Sequence, residues 1–409
     1  MVPEKPRVVF VSTYPPEHCG IGRDTFLLAQ SLREFRTVSI MANIVTGAAL
    51  EEGNVSRVWR KNELLYPIKI LARINRVSKP SDVIVHVFHH FHLYGGPPTV
   101  VLFPVLLLLL RIRGYRVVVH FHSVIDPGEL RELKMPETER LPPWILAAGL
   151  RIFIRLVAGL ADRIVVCTSA MRGVLIERYG LNPEPISVMP VGWYEVASPG
   201  IGADAKEALG LAKRQIIMFH SFLDPTKGLE DLLEAFAQVH SEFPDSHLVL
   251  AGEVAPSVGT AGQKFVSSLE KRVADLGLYG AVTFTGYQDE ASLSRTLSAA
   301  DVFVLPYTML ASLGGSGSLS RLAAFGKPLI ASRISRFTDE IVDGETGLLV
   351  APGRSEEIAA AIRRILSDPI LANRLGNNLR KLATERTWRT SAELLDRKLY
   401  PSLKSLSPN

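Results

Sequence analysis

VFVLPYTMLASLGGSGSLSRLAAFGKPLIAS, residues 302–332, is the stretch whose reading decides the fold. Val302–Leu305 is a short apolar run rich in branched residues, the composition of a buried strand. Residues 312–318 (SLGGSGS) read as a glycine-serine loop. Residues 319–325 have helical character, Gly326 and Pro328 stop them, and Leu329–Ser332 opens the next strand. A loop that leaves a strand and opens a helix offers unpaired N–H groups and the positive end of the helix dipole. Small residues let an anion approach that backbone closely. A plain surface turn has the same composition; the strand-loop-helix setting favours a phosphate site.

Outward from this unit, composition sets the frame. A chain of 409 residues, 47% hydrophobic, is expected to form two domains. A net charge of +5 suits a phosphate-rich ligand or an anionic membrane surface, not dedicated nucleic-acid binding. Cys19 and Cys167 are the only cysteines, so a reducing, cytoplasmic compartment is expected rather than a disulfide framework. Residues 8–12 are too short for a signal-peptide core and read as a first strand.

In the first half, Arg7–Ser12 reads as a strand and residues 13–22 (TYPPEHCGIG) as a turn. A helix is expected over residues 25–32, and a strand over 37–41. Gly20 and Gly22 suggest a dinucleotide fingerprint, but Thr25 stands at the third glycine and no acidic residue ends the second strand. They mark either a tight turn or a loop that approaches a ligand. Residues 82–87 form another strand, and His86, His89, His90 and His92 crowd its exit. Their spacing suits a polar, cleft-lining segment better than a metal site. Residues 100–110 read as a buried helix, too short to span a bilayer. Residues 117–121 deliver His120 and His122 to one face of a strand, with His122 at the exit. Residues 141–161 are helical after Pro143; Arg151 and Arg155 make this either an interfacial helix or a core helix with two solvated arginines. Ser169 is expected to cap the helix after the strand at 162–168.

Residues 195–213 read as a linker, and Gln215–His220 restarts the strand-helix alternation. Lys227 and Gly228 stand just before a helix with Leu229, Leu232, Leu233 and Phe236 at helical spacing. A lysine there opposes the helix dipole unless an anion is bound. Further strands at 247–251, 282–285 and 302–305 alternate with helices. The pattern predicts an α/β protein of two doubly wound, Rossmann-like domains facing across a cleft. Expected boundaries are 1–195, a linker at 196–213, 214–386, and a terminal segment at 387–409.

With these motifs in order, the chain resembles the retaining glycosyltransferases of family 4, with GT-B architecture. The resemblance covers nearly the whole chain and is carried by TYPPEHCGIG, HVFHHFHLYGG, VVVHFHSV, DPTKGLEDLLEAF, FTGYQD, AADVFVLPY, SGSLSRLAAFGKPLIAS, DEIVDGETGLLV and TWRTSAELLDRKLY, among others. It implies a nucleotide-sugar donor on the second domain and an acceptor, glycan, lipid-linked or small molecule, on the first. It implies that Lys227 contacts the diphosphate, that amides of Ser316, Gly317 and Ser318 hold phosphates, and that His122 contacts the sugar. Tyr287 would lie near the base, Glu340 and the glycines Gly20 and Gly22 at the donor, and neither metal nor cofactor is expected. Two departures stand out. Phe222, Leu223 and Asp224 replace the usual arginine before the lysine, and Leu313 and Arg321 replace two glutamates eight apart. Arg321 is therefore either a replacement phosphate ligand or a solvated helix residue. Catalysis by His122, Lys227 and Arg321 at the inner face of a membrane is one expectation; a non-catalytic sugar- or nucleotide-binding subunit is the other.

Overall fold

The computed structural model describes residues 5–130, 142–195, 202–254, 259–308 and 312–403. It divides into two compact units. One comprises Met1–Gly192, Ala311–Gly315 and Trp388–Asn409; the other comprises Trp193–Leu310 and Ser316–Thr387.

The first unit opens with β1 (Arg7–Ser12), α1 (Gly20–Leu32), β2 (Val38–Asn43), β3 (Glu51–Glu52), β4 (Val55–Trp59), α2 (Tyr66–Val77) and β5 (Val83–His89). It continues through α3 (Pro97–Val100), α4 (Phe103–Ile112), β6 (Arg116–Phe121), β7 (Ser123–Ile125), α5 (Pro143–Leu160), β8 (Arg163–Val166), α6 (Ser169–Glu177) and β9 (Ile186–Val188). Eight of these strands form one sheet in the order β3-β4-β2-β1-β5-β6-β8-β9. All its pairs are parallel except β3 with β4. VVFV, VIVHVFH and VVVHF are continuous runs because these central strands are buried on both faces. Helix α2 packs on α4, and α4 on α5.

Local readings differ in three places. Helix α1 starts at Gly20, not at residue 25. Gly22 lies in its first turn because a Cβ there would press on the backbone of Thr13 and Tyr14 at 3.3 Å. The cap of α6 is Thr168, whose hydroxyl accepts from Met171 N at 3.2 Å, rather than Ser169. The apolar run at 100–110 is only half buried: Val101, Val105 and Leu108 face outward.

The second unit begins at Trp193, and residues 196–201 of the expected linker lie outside the described residues. The remainder of that linker carries α7 (Gly202–Ala208), whose Lys206 pairs with Asp301 at 2.6 Å, so it is part of the unit. There follow β10 (Gln215–His220), α8 (Leu229–Glu242), β11 (Ser246–Ala251), α9 (Gly259–Asp275), β12 (Val282–Phe284), α10 (Glu290–Ser298) and β13 (Val302–Leu305). The expected glycine-serine loop is in part a strand. β14 (Ser312–Gly314) pairs antiparallel with β7 and belongs to the first unit. The chain then supplies α11 (Gly317–Leu322), β15 (Leu329–Ser332), α12 (Ser335–Thr338), β16 (Leu348–Val350), α13 (Ser355–Ser367) and α14 (Pro369–Glu385) to the second unit. Its sheet is wholly parallel, in the order β12-β11-β10-β13-β15-β16.

From Trp388 the chain is again part of the first unit, through α15 (Trp388–Leu394) and a π-helical turn, Leu395–Leu399. Asp396 accepts from Arg36 Nε at 2.6 Å, with both side chains 4% exposed, and Tyr400 OH lies 2.9 Å from His86 Nδ1.

Candidate functional site

In a doubly wound sheet, ligands bind at the carboxyl ends of strands where the strand order reverses. In the second unit that point lies between β10 and β13. From β10 the chain builds outward to β11 and β12, then returns to start β13, β15 and β16. Lys227 follows β10 and Tyr307 follows β13. The Lys227 ammonium lies 4.2 Å from the Tyr307 ring centroid and 3.7 Å from Asp224 Oδ2. Asp224 shapes this turn, its Oδ1 accepting from Thr226 N at 2.9 Å. Gly228, at φ +65°, lets the two loops touch: a Cβ there would meet Pro306 O at 1.9 Å. Any other residue at that position would pay both a left-handed backbone and a clash.

Tyr307 extends the cluster. Its hydroxyl donates to Ser318 Oγ at 3.2 Å. Ser316 caps α11 by accepting from Leu319 N at 3.1 Å, and Gly317 is exposed with open space where a Cβ would sit. The amides of a first helical turn have no partner within the helix. The structure thus brings Lys227, Ser316, Gly317 and Ser318 together around Tyr307. That tyrosine lay unassigned in LPY within the opening stretch.

Arg321 is placed otherwise. Its guanidinium grips Glu290 with both ends, at 2.6 and 3.2 Å, and donates to Tyr194 OH at 3.0 Å while lying over the Tyr194 ring. Burial opposes its charge, but Tyr194 and Glu290 outweigh burial and hold its pKa above the ordinary value. With a side chain 14% exposed it is no solvated helix residue, and its charge is already matched by a carboxylate. Sequence spacing could not show this, because Glu290 comes from a different helix.

Tyr287 is 60% exposed and follows Gly286 at the end of the β12 loop. Glu340 follows α12 rather than starting a helix. It is buried and ion-paired with Arg386, whose guanidinium also lies over Trp193, so its contacts are with the chain ends of the unit.

In the first unit the strand order reverses between β1 and β5. Here His86, His120 and His122 line up: His120 and His122 stack at 4.7 Å, and His86 lies 5.4 Å from His120. Burial drives His86 to about 3, and a neighbouring imidazole adds to the effect. The same two causes hold His120 and His122 well below the usual value. The Asp24 carboxylate, 4.0 Å from His122 Nδ1, does not offset this. His122 is therefore neutral, and its buried Nε2 has no partner among the described residues. His89 leaves the opposite way into a cluster with Phe91, Phe103, Phe121 and Phe153. His90 and His92 lie in the turn beyond, so the four histidines read together part company. Among the described residues no group of three or more His, Cys, Asp or Glu could hold a metal ion. Gly22 answers to packing against β1's exit, whereas Gly20 has open space around it.

Residues 20–193 match the family model described as Glycosyltransferase Family 4, and residues 203–382 the model described as Glycosyl transferases group 1. Alpha-D-kanosaminyltransferase of Streptomyces kanamyceticus is 30% identical over 178 residues, 43% of this chain and 42% of that protein. A D-inositol 3-phosphate glycosyltransferase of Acidothermus cellulolyticus is 33% identical over 222 residues, 52% of this chain and 47% of that protein. The chain spans about half the length of the curated relatives it matches. The crystal structure of HepE of Anabaena in complex with UDP-glucose shares its fold at a TM-score of 0.74 and 18% identity, covering 97% of this chain and 100% of that one.

Proposed function

For a chain that belongs to glycosyltransferase family 4 and has the GT-B fold, we propose transfer of a sugar from a nucleoside diphosphate to a glycan, lipid-linked or small-molecule acceptor, with retention and without a metal ion. The observation that carries this reading is the Lys227–Tyr307–Ser318 cluster at the strand-order reversal of the second unit. Breaking the bond between the anomeric carbon and the diphosphate builds negative charge on the departing oxygens. A compact ammonium and the free amides of Gly317 and Ser318 are suited to stabilise it. Lys227 is the chief cation in this reading; Arg321 contributes less, since Glu290 already matches its charge.

His122 has the complementary task. A neutral imidazole with a free nitrogen can exchange a hydrogen bond with a sugar hydroxyl without attracting the diphosphate. With retention, the acceptor hydroxyl approaches on the face the diphosphate leaves. Its oxygen bonds to the anomeric carbon, and its proton passes to the nearest base, a leaving phosphate oxygen. Tyr287 offers an exposed ring for the base. UDP-sugars are the first donors to try, because HepE of Anabaena binds UDP and UDP-glucose.

The test is release of free nucleoside diphosphate from UDP-, GDP- and ADP-sugars, with and without acceptors that include lipids. Acceptor-dependent release with the anomeric configuration kept supports the proposal. Inversion overturns retention, loss on chelation overturns metal independence, and tight donor binding without any release points to a non-catalytic subunit.

A further inference from the structure

Helices α2, α4 and α5 lie side by side in the first unit and turn an apolar face outward. On α5, Trp144, Ile152 and Leu156 are 72%, 62% and 52% exposed; on α4, Val105, Leu108 and Ile112 are 40%, 44% and 71% exposed. The α4 residues fall at helical spacing, three and four apart, so they form one stripe. Only Ala147, Ile154 and Val157 of the 18 residues of α5 are buried in the protein. No Asp or Glu occurs in α2, α4 or α5, while Lys69, Arg73, Arg76, Arg111, Arg151 and Arg155 do. Lys69, Arg73 and Arg111 are ion-paired with Glu63, Glu51 and Asp162 outside these helices, and Arg155 donates to Tyr179 O. Arg76 and Arg151 are thus the helix cations with neither a carboxylate nor a backbone partner among the described residues. Arg113 follows α4 directly.

We propose that this face docks on an anionic lipid bilayer. Helix α5 is long and apolar enough to cross a membrane, but its place in the chain forbids that. It joins the strands at β6 and β7 to β8, and β6 and β8 are hydrogen-bonded neighbours. Crossing would carry the sheet's polar edges into hydrocarbon. The helix can only lie in the interface, apolar stripe inward and arginines at the headgroups. The charge pattern selects the occupant. A second copy of this face would set basic helices against basic helices, whereas anionic lipids match them. Trp144, at the start of α5, is a residue type that prefers the headgroup level. Resting on the transferase reading above, the surface assigns the acceptor to the lipid-linked class.

The protein carries four tryptophans, and three of them, Trp59, Trp193 and Trp388, are 0%, 2% and 7% exposed. Trp144 is thus a built-in reporter. The full chain is mixed with vesicles of phosphatidylcholine, alone or with phosphatidylglycerol, at low and high salt, and co-sedimentation and tryptophan emission are read. The expected result is binding to the phosphatidylglycerol vesicles, weakened about tenfold or more by salt, with a blue shift that Trp144→Phe abolishes. The double change Ile152→Glu and Leu156→Glu should abolish binding while the thermal melt and donor cleavage in solution stay unchanged. No binding to anionic vesicles at low salt overturns the proposal. So does unaltered binding by the double variant, or self-association in sedimentation equilibrium that the double variant abolishes. Vesicle binding needs no donor and donor cleavage needs no vesicle, so failure of one is distinguishable from failure of the other.

Discussion

The two units carry opposite chemistry at equivalent places in their sheets. Where the strand order reverses in the first, three imidazoles are packed until they lose their charge. Where it reverses in the second, a lysine ammonium lies between a tyrosine ring and a carboxylate. The difference lies in the neighbours. His120 and His122 are buried against other imidazoles and Phe88, and the Asp24 carboxylate comes no nearer to His122 than 4.0 Å. Lys227 instead faces the Asp224 carboxylate and the Tyr307 ring. One topology thus yields a neutral hydrogen-bonding surface and a cationic one.

Gly228 offers the strongest test of the cationic side. Gly228→Ala combines a left-handed backbone with a clash against Pro306, so it should cost about 2–5 kcal/mol of stability in the second unit. Thermal melts would show it, and a melt unchanged from the parent would mean that the loops after β10 and β13 do not touch. Lys227→Ala should leave the fold intact and lower kcat/KM by about ten- to a few hundred-fold, because a hydrogen bond to a charged group is worth ~1.5–3 kcal/mol. Arginine at 227 should rescue only in part, since its planar fork does not reproduce a compact ammonium. Wild-type turnover and donor affinity in Lys227→Ala would remove the diphosphate assignment.

On the neutral side the loss should be smaller. His122→Phe removes neutral hydrogen bonding worth ~0.5–1.5 kcal/mol, hence about a two- to tenfold fall in kcat/KM. Steady-state kinetics against Lys227→Ala decides whether charge or neutrality matters more. The histidines also predict how acid acts. His86 and His89 have folded values near 3, below the ~6.5 of an unfolded chain. As pH falls below about 6.5 the unfolded state takes up protons first, so stability is lost on acidification. His220, at about 4, and His247 act alike in the second unit, but fewer histidines are involved there. Hydrogen exchange, corrected for intrinsic rates, should show β5 and β6 losing protection before β10 and β13. His89→Phe, inside its cluster of phenylalanines, should flatten that slope. The smallest effect belongs to Arg321→Ala: about 1 kcal/mol of stability and less than about tenfold in kcat/KM, because its partner Glu290 is more than half exposed. A loss matching that of Lys227→Ala would return Arg321 to the phosphates.

What the sequence made legible follows from how local each signal is. β1, β10, β13 and β15 were readable to the residue, because buried parallel strands are uninterrupted apolar runs. Lys227 before its helix was readable for the same reason. The pairing of Ser312–Gly314 with β7 was not: glycine and serine suggest a loop, and the partner strand lies far back in the chain. Nor was the Arg321–Glu290 grip, which joins two helices. The outward stripe of α4 was hidden because FPVLLLLLRI is apolar all round and has no polar side to reveal which way it turns. Gly20 and Gly22 read as a turn since glycine is a poor helix former; for Gly22 the close backbone of Thr13 and Tyr14 overrides that preference.

The fastening of the first unit by Asp396 and Tyr400 sets an order of events on the ribosome. Domains generally fold as units, the first-made one earliest. Here the sheet β1–β9 is synthesised before any residue of the second unit, yet Arg36 waits 360 residues for its carboxylate and His86 waits 314 for its phenol. Until then the guanidinium lacks that counter-charge and the imidazole that partner. The first half to emerge is therefore the last to be finished: a chain ending at Thr387 would contain every residue of the second unit and still lack the closing segment of the first.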